Sequence, residues 1–244
     1  MTSIPESLEP KSGLKSLPRN VWVATATSFL TDISSEMIVY LIPLFLANVL
    51  GTSTAIIGLI EGLAETTSSL LKAASGWFSD RIGTRKWLAV GGYGLSTFAK
   101  PFLYFATTWA GVLAVRFADR AGKGIRTAPR DALIADSIDS RNRGLAFGLH
   151  RAGDTAGAVI GIVIALIVVL ATQSQTVELT RETFQTLVLI AIIPAVIAVI
   201  VLAIGAKEVR RTRAAGEAKP RVSWSALNPD FKFFLVVVAL FTLG

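Results

Sequence analysis

Acidic side chains recur at helical spacing inside two long apolar stretches of this chain. Asp32 and Glu36 lie four residues apart in the first stretch, and Glu61 and Glu65 repeat that spacing in the second. Residues four apart lie on the same face of a helix. A carboxylate that is partly shielded from water can bind and release a proton, so these four residues are candidate proton-binding groups, Asp32 and Glu36 foremost.

Basic side chains show the same spacing further along the chain. Arg116 and Arg120 share one helical face, and Arg151 and Asp154 lie three residues apart in a later apolar stretch. Two interpretations stay open for all eight residues. They form buried ion pairs that link neighbouring helices, or they line a water-accessible cavity on the path of a solute. Polar stripes on four helices together favour the cavity.

A short basic segment, residues 76–86, separates the second and third apolar stretches. We expect a tight hairpin there, because glycine suits a sharp turn and because positive side chains next to a membrane helix mark a cytoplasmic loop. Its acidic residue, placed among bases at a helix end, is expected to cap or pair with a neighbouring helix terminus. The residues that define this segment are Gly76, Asp80, Arg81, Gly83, Arg85 and Lys86.

Long apolar helices must position these side chains. The chain has 244 residues, of which 52% are hydrophobic, and a mean hydropathy of +0.59, which is typical of a membrane protein. A helix needs roughly 20 apolar residues to cross a bilayer. The pattern therefore predicts an all-α membrane protein with six transmembrane helices, at 21–50, 54–78, 87–107, 109–131, 144–172 and 184–206.

Positive residues are distributed unevenly between the two sides of these helices. They cluster before the first helix, after the second, after the sixth, and between the fourth and fifth, where we count Arg126, Arg130, Arg141 and Arg143, the first two at the end of the predicted helix 109–131. Only Arg181 falls on the other side. The positive-inside rule then predicts a multi-pass protein of the cytoplasmic membrane with a cytoplasmic N-terminus.

Four segments follow from this pattern. Residues 1–20 are predicted to form a cytoplasmic tail, 21–206 a six-helix bundle, and 207–230 a polar cytoplasmic linker. Residues 231–244 are apolar but too short to span a membrane comfortably, so we interpret them as the start of a seventh helix. On the fifth helix, Gly153, Gly157 and Gly161 have the spacing that permits close contact with another helix.

The spacing G-x-x-x-D-R-x-G-x-R-K at 76–86 resembles the loop between helices 2 and 3 of the major facilitator superfamily of secondary transporters. The segment that begins Arg120-Ala121-Gly122-Lys123-Gly124 is similar to that superfamily's pattern from helix 4 to helix 5. The resemblance implies a twelve-helix fold of two bundles, with this chain as the N-terminal half and a C-terminal half as its partner. It also implies alternating-access transport of a small solute, coupled to protons, with Arg120 in proton coupling and 76–86 as a gate.

In that superfamily helices 1 and 4 border a central cavity, helices 2 and 5 flank it, and helices 3 and 6 tend to face lipid. Lys100, on the predicted third helix, does not fit this arrangement.

Composition argues against several other functions. The chain has no cysteine and one histidine, His150, for which we expect a structural or surface role, and we assign no cofactor. The positive residues follow a membrane pattern rather than a nucleic-acid patch, so the expected partners are a small solute, protons and lipids. Two alternatives remain: a non-transporting sensor or scaffold of the same fold, and a membrane-embedded enzyme with a cytoplasmic-face metal held by Asp119, Asp131, Asp136 and Asp139.

Overall fold

The computed structural model describes residues 13–173, 178–209 and 228–243, and across these residues it is helical with no strand. Residues 13–209 belong to one unit and residues 228–243 to a second, which consists of α8. The helices are α1 Arg19–Val39, α2 Ile42–Leu44, α3 Thr54–Ile82, α4 Lys86–Ala99, α5 Trp109–Asp136, α6 Arg143–Thr172, α7 Arg181–Gly205 and α8 Pro229–Leu243. Most of the predicted tail and linker lies outside the described residues.

Two predicted helices are divided in the structure. The helix predicted over 21–50 is interrupted after Val39, and a short π-helical turn, Phe45–Val49, follows α2. The helix predicted over 87–107 passes from α4 into a 3-10 turn, Lys100–Leu103. A proline lies at the start of each new piece, where its missing N–H removes a helical hydrogen bond.

The hairpin predicted over 76–86 is much shorter than expected, because α3 continues to Ile82. Gly83 adopts a left-handed conformation with φ of 74°, and its N–H donates to the Ser79 carbonyl at 2.9 Å, which ends the helix. The prediction that Gly83 makes the turn is confirmed. Gly76, Asp80 and Arg81 instead belong to the last turns of α3.

Arg126 and Arg130 lie inside α5, as the predicted helix 109–131 implies, and not in the connection to the next helix with which their charges were counted. α5 continues through Pro129 to Asp136, and both arginine side chains are buried within the bundle. Each guanidinium finds a hydroxyl on a neighbouring helix, which compensates for its removal from water. Only a short connection therefore separates α5 from α6.

The helices pack as two groups, joined mainly by the contact of α4 with α7. α1 packs against α6 and α7, α5 packs against α3 and α4, and α4 meets α7. The predicted glycine stripe of α6 lies against α1: a Cβ on Gly161 would stand 2.6 Å from the Ile33 carbonyl oxygen, and one on Gly153 would stand 2.6 Å from Thr25 Cγ2. The close helix contact expected from these glycines is confirmed.

Hydrogen bonds fix which helix ends lie together. The Asn20 amide donates to Ser137 Oγ and to the Lys207 carbonyl, both at 2.9 Å, so the start of α1 meets the ends of α5 and α7. We call this the charged end of the bundle. At the opposite end Arg181 donates to the Ala106 carbonyl at 2.9 Å. Successive long helices therefore run in opposite directions.

Three segments are long and apolar enough to cross a membrane: Arg19–Val49, Ser140–Thr172 and Arg181–Gly205. Large apolar side chains on α6 and α7 face outward, among them Leu166, Leu170 and Ile204. An apolar exterior with charged residues directed inward is what a bilayer requires of a multi-pass protein. The six-span count remains a prediction.

The α1–α6 contact predicts opposite effects for two alanine substitutions in α6. Gly161→Ala should lower the melting temperature of the chain in lipid nanodiscs, because the new methyl group meets the Ile33 carbonyl. Gly148→Ala is the matched control: no atom lies within 4 Å of its Cβ position, and alanine favours a helix over glycine by about 1 kcal/mol. Equal melting temperatures for the two variants would contradict the packing described.

Candidate functional site

A small cavity opens between α1, α5 and the 3-10 turn after α4. Its wall contains both apolar side chains and many ionisable groups. Five bases and three acids line it. These residues are Asp32, Glu36, Lys100, Arg116, Asp119, Arg120, Lys123 and Arg126.

The acids of α1 form one wall of this cavity, as the sequence predicts. Asp32 and Glu36 both line it, with Ser35 between them. Within the described part of the chain neither carboxylate makes a salt bridge or a direct hydrogen bond, although Arg126 and Arg130 act electrostatically on Asp32. The interpretation of Asp32 as half of a fixed ion pair with a fourth-helix arginine is therefore not supported.

The glutamates of α3 do not line the cavity. Glu61 forms an ion pair with Arg116, and Glu65 Oε1 lies 3.2 Å from Arg120 Nη1. For these two residues the ion-pair interpretation is confirmed. Both arginines still reach the cavity, but a carboxylate from the neighbouring helix holds each of them and offsets part of its charge.

Lys100 contributes a charge that sequence reasoning did not assign to the cavity. It is buried, and its Nζ donates to Ser34 Oγ at 2.5 Å and to Ser35 Oγ at 3.1 Å. It stands where α4 gives way to the 3-10 turn before Pro101. The available signal was the ionisable residue itself, because a lysine in an apolar membrane stretch usually faces a protein interior.

Arg126 was also missed as a cavity residue, since its charge was counted with the connection between the fourth and fifth helices. Its Nη1 donates to Ser96 Oγ at 2.7 Å, and its guanidinium lies 4.5 Å from the centre of the Tyr93 ring. Two turns earlier in α5, Asp119 is a cavity-lining residue of the same helix. The register of the predicted helix 109–131 places Asp119 and Arg126 on one polar face.

The predicted pair on α6 lies outside this cavity. Arg151 Nη1 is 3.4 Å from Asp154 Oδ2, which confirms the pairing expected from their spacing. His150 Nε2 is 3.7 Å from Asp154 Oδ1. The histidine is completely buried, so the surface role that the sequence allowed for it is wrong.

At the charged end, Arg85 joins the ends of three helices. Its Nη1 lies 2.7 Å from Asp80 Oδ1 on α3, and its Nε lies 3.0 Å from Asp136 Oδ2, the last residue of α5. The same Nη1 donates to Ser79 Oγ at 3.2 Å. Asp80 therefore pairs at the start of α4, as predicted.

The capping role falls to Glu208 rather than to Asp80. Its Oε1 accepts from the Arg85 N–H at 2.7 Å and its Oε2 from the Lys86 N–H at 3.1 Å. A carboxylate at the first turn satisfies unpaired amides and complements the helix dipole of α4. Sequence reasoning missed this residue because it placed position 208 in the linker.

The remaining motif residues have simpler surroundings. Arg81 and Lys86 lie over the rings of Trp77 and Trp87, at 5.5 and 4.8 Å from the ring centres. A Cβ on Gly76 would stand 3.3 Å from Ala128 Cβ, where α3 passes close to α5. These contacts pack the end of the bundle and build no pocket of their own.

The metal-dependent alternative lacks its site. Across the described residues, no group of three or more acids or histidines could hold a metal ion. Asp136 is paired with Arg85, and Asp131 Oδ1 lies 2.8 Å from Arg130 Nη2. Two of the four proposed ligands are thus paired with arginines.

The Arg85 cluster predicts unequal effects for its two carboxylates. Asp136→Asn should destabilise the chain by about 3 kcal/mol, because it removes the charge of a carboxylate that is only 13% exposed beside a buried arginine. Asp80→Asn should change stability by about 1 kcal/mol or less, since Asp80 is 65% exposed. Thermal unfolding in nanodiscs measures both, and a larger loss for Asp80→Asn would refute this assignment.

Most of this chain matches a known protein family. The family model described as Major Facilitator Superfamily matches residues 24–244. An uncharacterised MFS-type transporter of Methanocaldococcus jannaschii is 36% identical over 94% of this chain and 55% of its own length. An uncharacterised protein of Mycobacterium tuberculosis is 31% identical over 45% of this chain and 27% of its own length. The chain spans about half the length of the first relative, and less of the second.

Solved structures share the fold at low identity. A POT family transporter in complex with 5-aminolevulinic acid gives a TM-score of 0.69 at 14% identity, over 96% of this chain and 47% of its own. A bacterial homologue of the human lysosomal transporter Spinster, inward-facing and unoccupied, gives 0.64 at 18%, over 91% and 50%. A D-xylose–proton symporter gives 0.63 at 14%, over 92% and 52%.

Proposed function

The chain belongs to the major facilitator superfamily, and on that premise we propose that it forms the N-terminal six-helix half of a membrane permease. A C-terminal half completes the permease, and the two halves move a small solute by alternating access. The length relation to the M. jannaschii transporter supports this division, because the chain aligns with 55% of that protein. Transporters of this kind place the solute near the middle of the membrane, between two related bundles.

The charged cavity between α1 and α5 is the observation that carries the proposal. Ionisable side chains are costly inside a membrane and usually mark the path of a solute or ion. Arg116 and Arg120 are paired with glutamates of α3, but Lys123, which also lines the cavity and is exposed, has no salt-bridge partner among the residues described. The preferred solute is therefore anionic or zwitterionic.

Proton coupling is assigned to α1. Asp32 and Glu36 face the same cavity as these bases, so a proton on one of them changes the charge that the solute meets. The solved D-xylose–proton symporter has the same fold, and this supports the proposal that this fold serves proton-coupled transport here. Arg116 and Arg120 stabilise the opposite wall.

The charged end is proposed as the inner gate and as the cytoplasmic side. Arg85 connects α3 and α5, while Glu208 connects α4 to the segment after α7, so these helix ends move together. The positive residues that flank this end support a cytoplasmic location for it and for the N-terminus. Lipid surrounds the apolar exterior of α6 and α7.

Neither alternative function has comparable support. The transporter family and the absence of a metal cluster among described residues both disfavour an enzyme. A non-transporting scaffold would have no use for the unpaired carboxylates at Asp32 and Glu36.

The proposed division predicts that the 244-residue chain inserts into membranes but does not transport. Alone, it leaves the cavity without an opposing wall, and alternating access needs both halves. Reconstitution into proteoliposomes, with flux compared against the same vesicles containing the complete transporter, measures this. Robust flux by the chain alone would overturn the half-transporter proposal and indicate a self-assembling six-helix transporter.

Asp32→Asn in the complete transporter should abolish gradient-driven transport while solute exchange and binding persist. Asparagine keeps the shape and hydrogen bonding of the residue but cannot titrate. Asp139→Asn is the matched control, because Asp139 is exposed beside the short turn before α6. Should Asp32→Asn lower stability yet leave the pH dependence of transport unchanged, Asp32 is structural and Glu36 becomes the next candidate.

A further inference from the structure

His150 is a buried ionisable residue that the proposed cavity does not use. It is completely buried on α6, and neither ring nitrogen has a hydrogen-bond partner among the described residues. Its neighbour Asp154 lies 3.7 Å away, beyond the length of a hydrogen bond. A structural histidine is normally held by such bonds, which fix its tautomer. Packing alone therefore leaves His150 unexplained.

Asp154 lies between this buried ring and the open surface. Its Oδ1 faces His150 Nε2, and its Oδ2 lies 3.4 Å from Arg151 Nη1. Side-chain exposure rises along the series, from 0% for His150 to 17% for Asp154 and 68% for Arg151. The carboxylate is thus placed to exchange protons between the interior and the surface.

The chemistry of this exchange balances without another reactant. A proton on Asp154 Oδ1 passes to His150 Nε2, so that a neutral carboxyl and a neutral ring become a carboxylate and an imidazolium ion. Catalytic and proton-transfer contacts are often longer in resting structures than in the working state.

The same carboxylate is connected to the cavity through α1. Asp154 and Asp32 repel each other electrostatically across the α1–α6 contact. That contact is close because Gly153 lies against Thr25 with no side chain between. Two carboxylates in one field disfavour joint ionisation, so a proton on one changes the affinity of the other.

Other charged groups face His150 from two of the packed helices. α5 supplies Arg130 and Asp131, which are paired with each other, and α6 supplies Arg151. α7 has no charged residue between Glu182 and Lys207. The group that remains able to share a proton with the ring is Asp154.

We propose that His150 and Asp154 form a second proton-binding site coupled to Asp32. The role of this site in turnover rests on the proposed proton-coupled transport, whereas its existence does not. In that role the pair holds a proton on the α6 side while Asp32 exchanges one with the cavity.

The only histidine of the chain gives a direct test. The 244-residue chain, labelled with ¹⁵N-histidine in lipid nanodiscs, is titrated by NMR between about pH 4 and about pH 9. We expect the ring signals to change with pH. Asp154→Asn should move the midpoint by about one pH unit or more, because it removes the adjacent charge, and Asp32→Asn should move it by a smaller amount.

Asp139→Asn is the control and should leave the midpoint in place. A ring that stays neutral across the range, or a midpoint unaffected by Asp154→Asn, overturns the proposal without needing any variant to transport. An unchanged midpoint in Asp32→Asn overturns the coupling. If the ring titrates and is coupled to Asp32, but the flux of the complete transporter does not depend on the proton gradient, the site is supported. Only the proton-coupled function is then refuted.

Discussion

The arginines of α5 impose the strongest physical constraint on this bundle. A guanidinium that leaves water needs partners, and α5 carries four buried ones. Arg116 and Arg120 form ion pairs with carboxylates of α3. Arg126 donates to a hydroxyl of α4 and lies over an aromatic ring of that helix, and Arg130 donates to a hydroxyl of α1. Three helices must therefore surround α5 in a fixed register. The polar interior and the apolar exterior both follow from that arrangement.

We propose that the ionisable side chains without such partners act in transport. Asp32, Glu36 and Lys123 face the cavity without salt bridges to any described residue, and Lys100 is held only by serine hydroxyls. On α6, the buried His150 is in a similar position. Paired charges are expected to stabilise the bundle, while the remaining ones are free to meet a solute or a proton. The Arg85 cluster, at the charged end, belongs to the first group.

Periodicity and family motifs predicted the helical class, the turn at Gly83 and the cavity residues of α1 and α5. They could not predict contacts between distant segments, because spacing along a helix does not show which neighbour a side chain meets. The contacts of Asp136 and Glu208 with Arg85 could be seen only in the structure, where α5 and α7 end beside Arg85. Arg126 falls inside the predicted helix 109–131, but its charge was counted with the cytoplasmic cluster, because charge distribution alone does not show which arginines turn into the bundle. The sequence could not decide whether Glu61 lines the cavity or pairs with Arg116, because the answer depends on the position of α3.

Alternating access at the α1–α5 cavity is the central claim, and the lack of cysteine in this chain allows a direct measurement. Ser35 lines the cavity, so Ser35→Cys in the complete transporter places one thiol there. Membrane-impermeant thiol reagents are then applied to each side of sealed vesicles, with and without a proton gradient. The account predicts labelling from both sides, in a ratio that the gradient shifts. Labelling from one side only, under every condition, would contradict it.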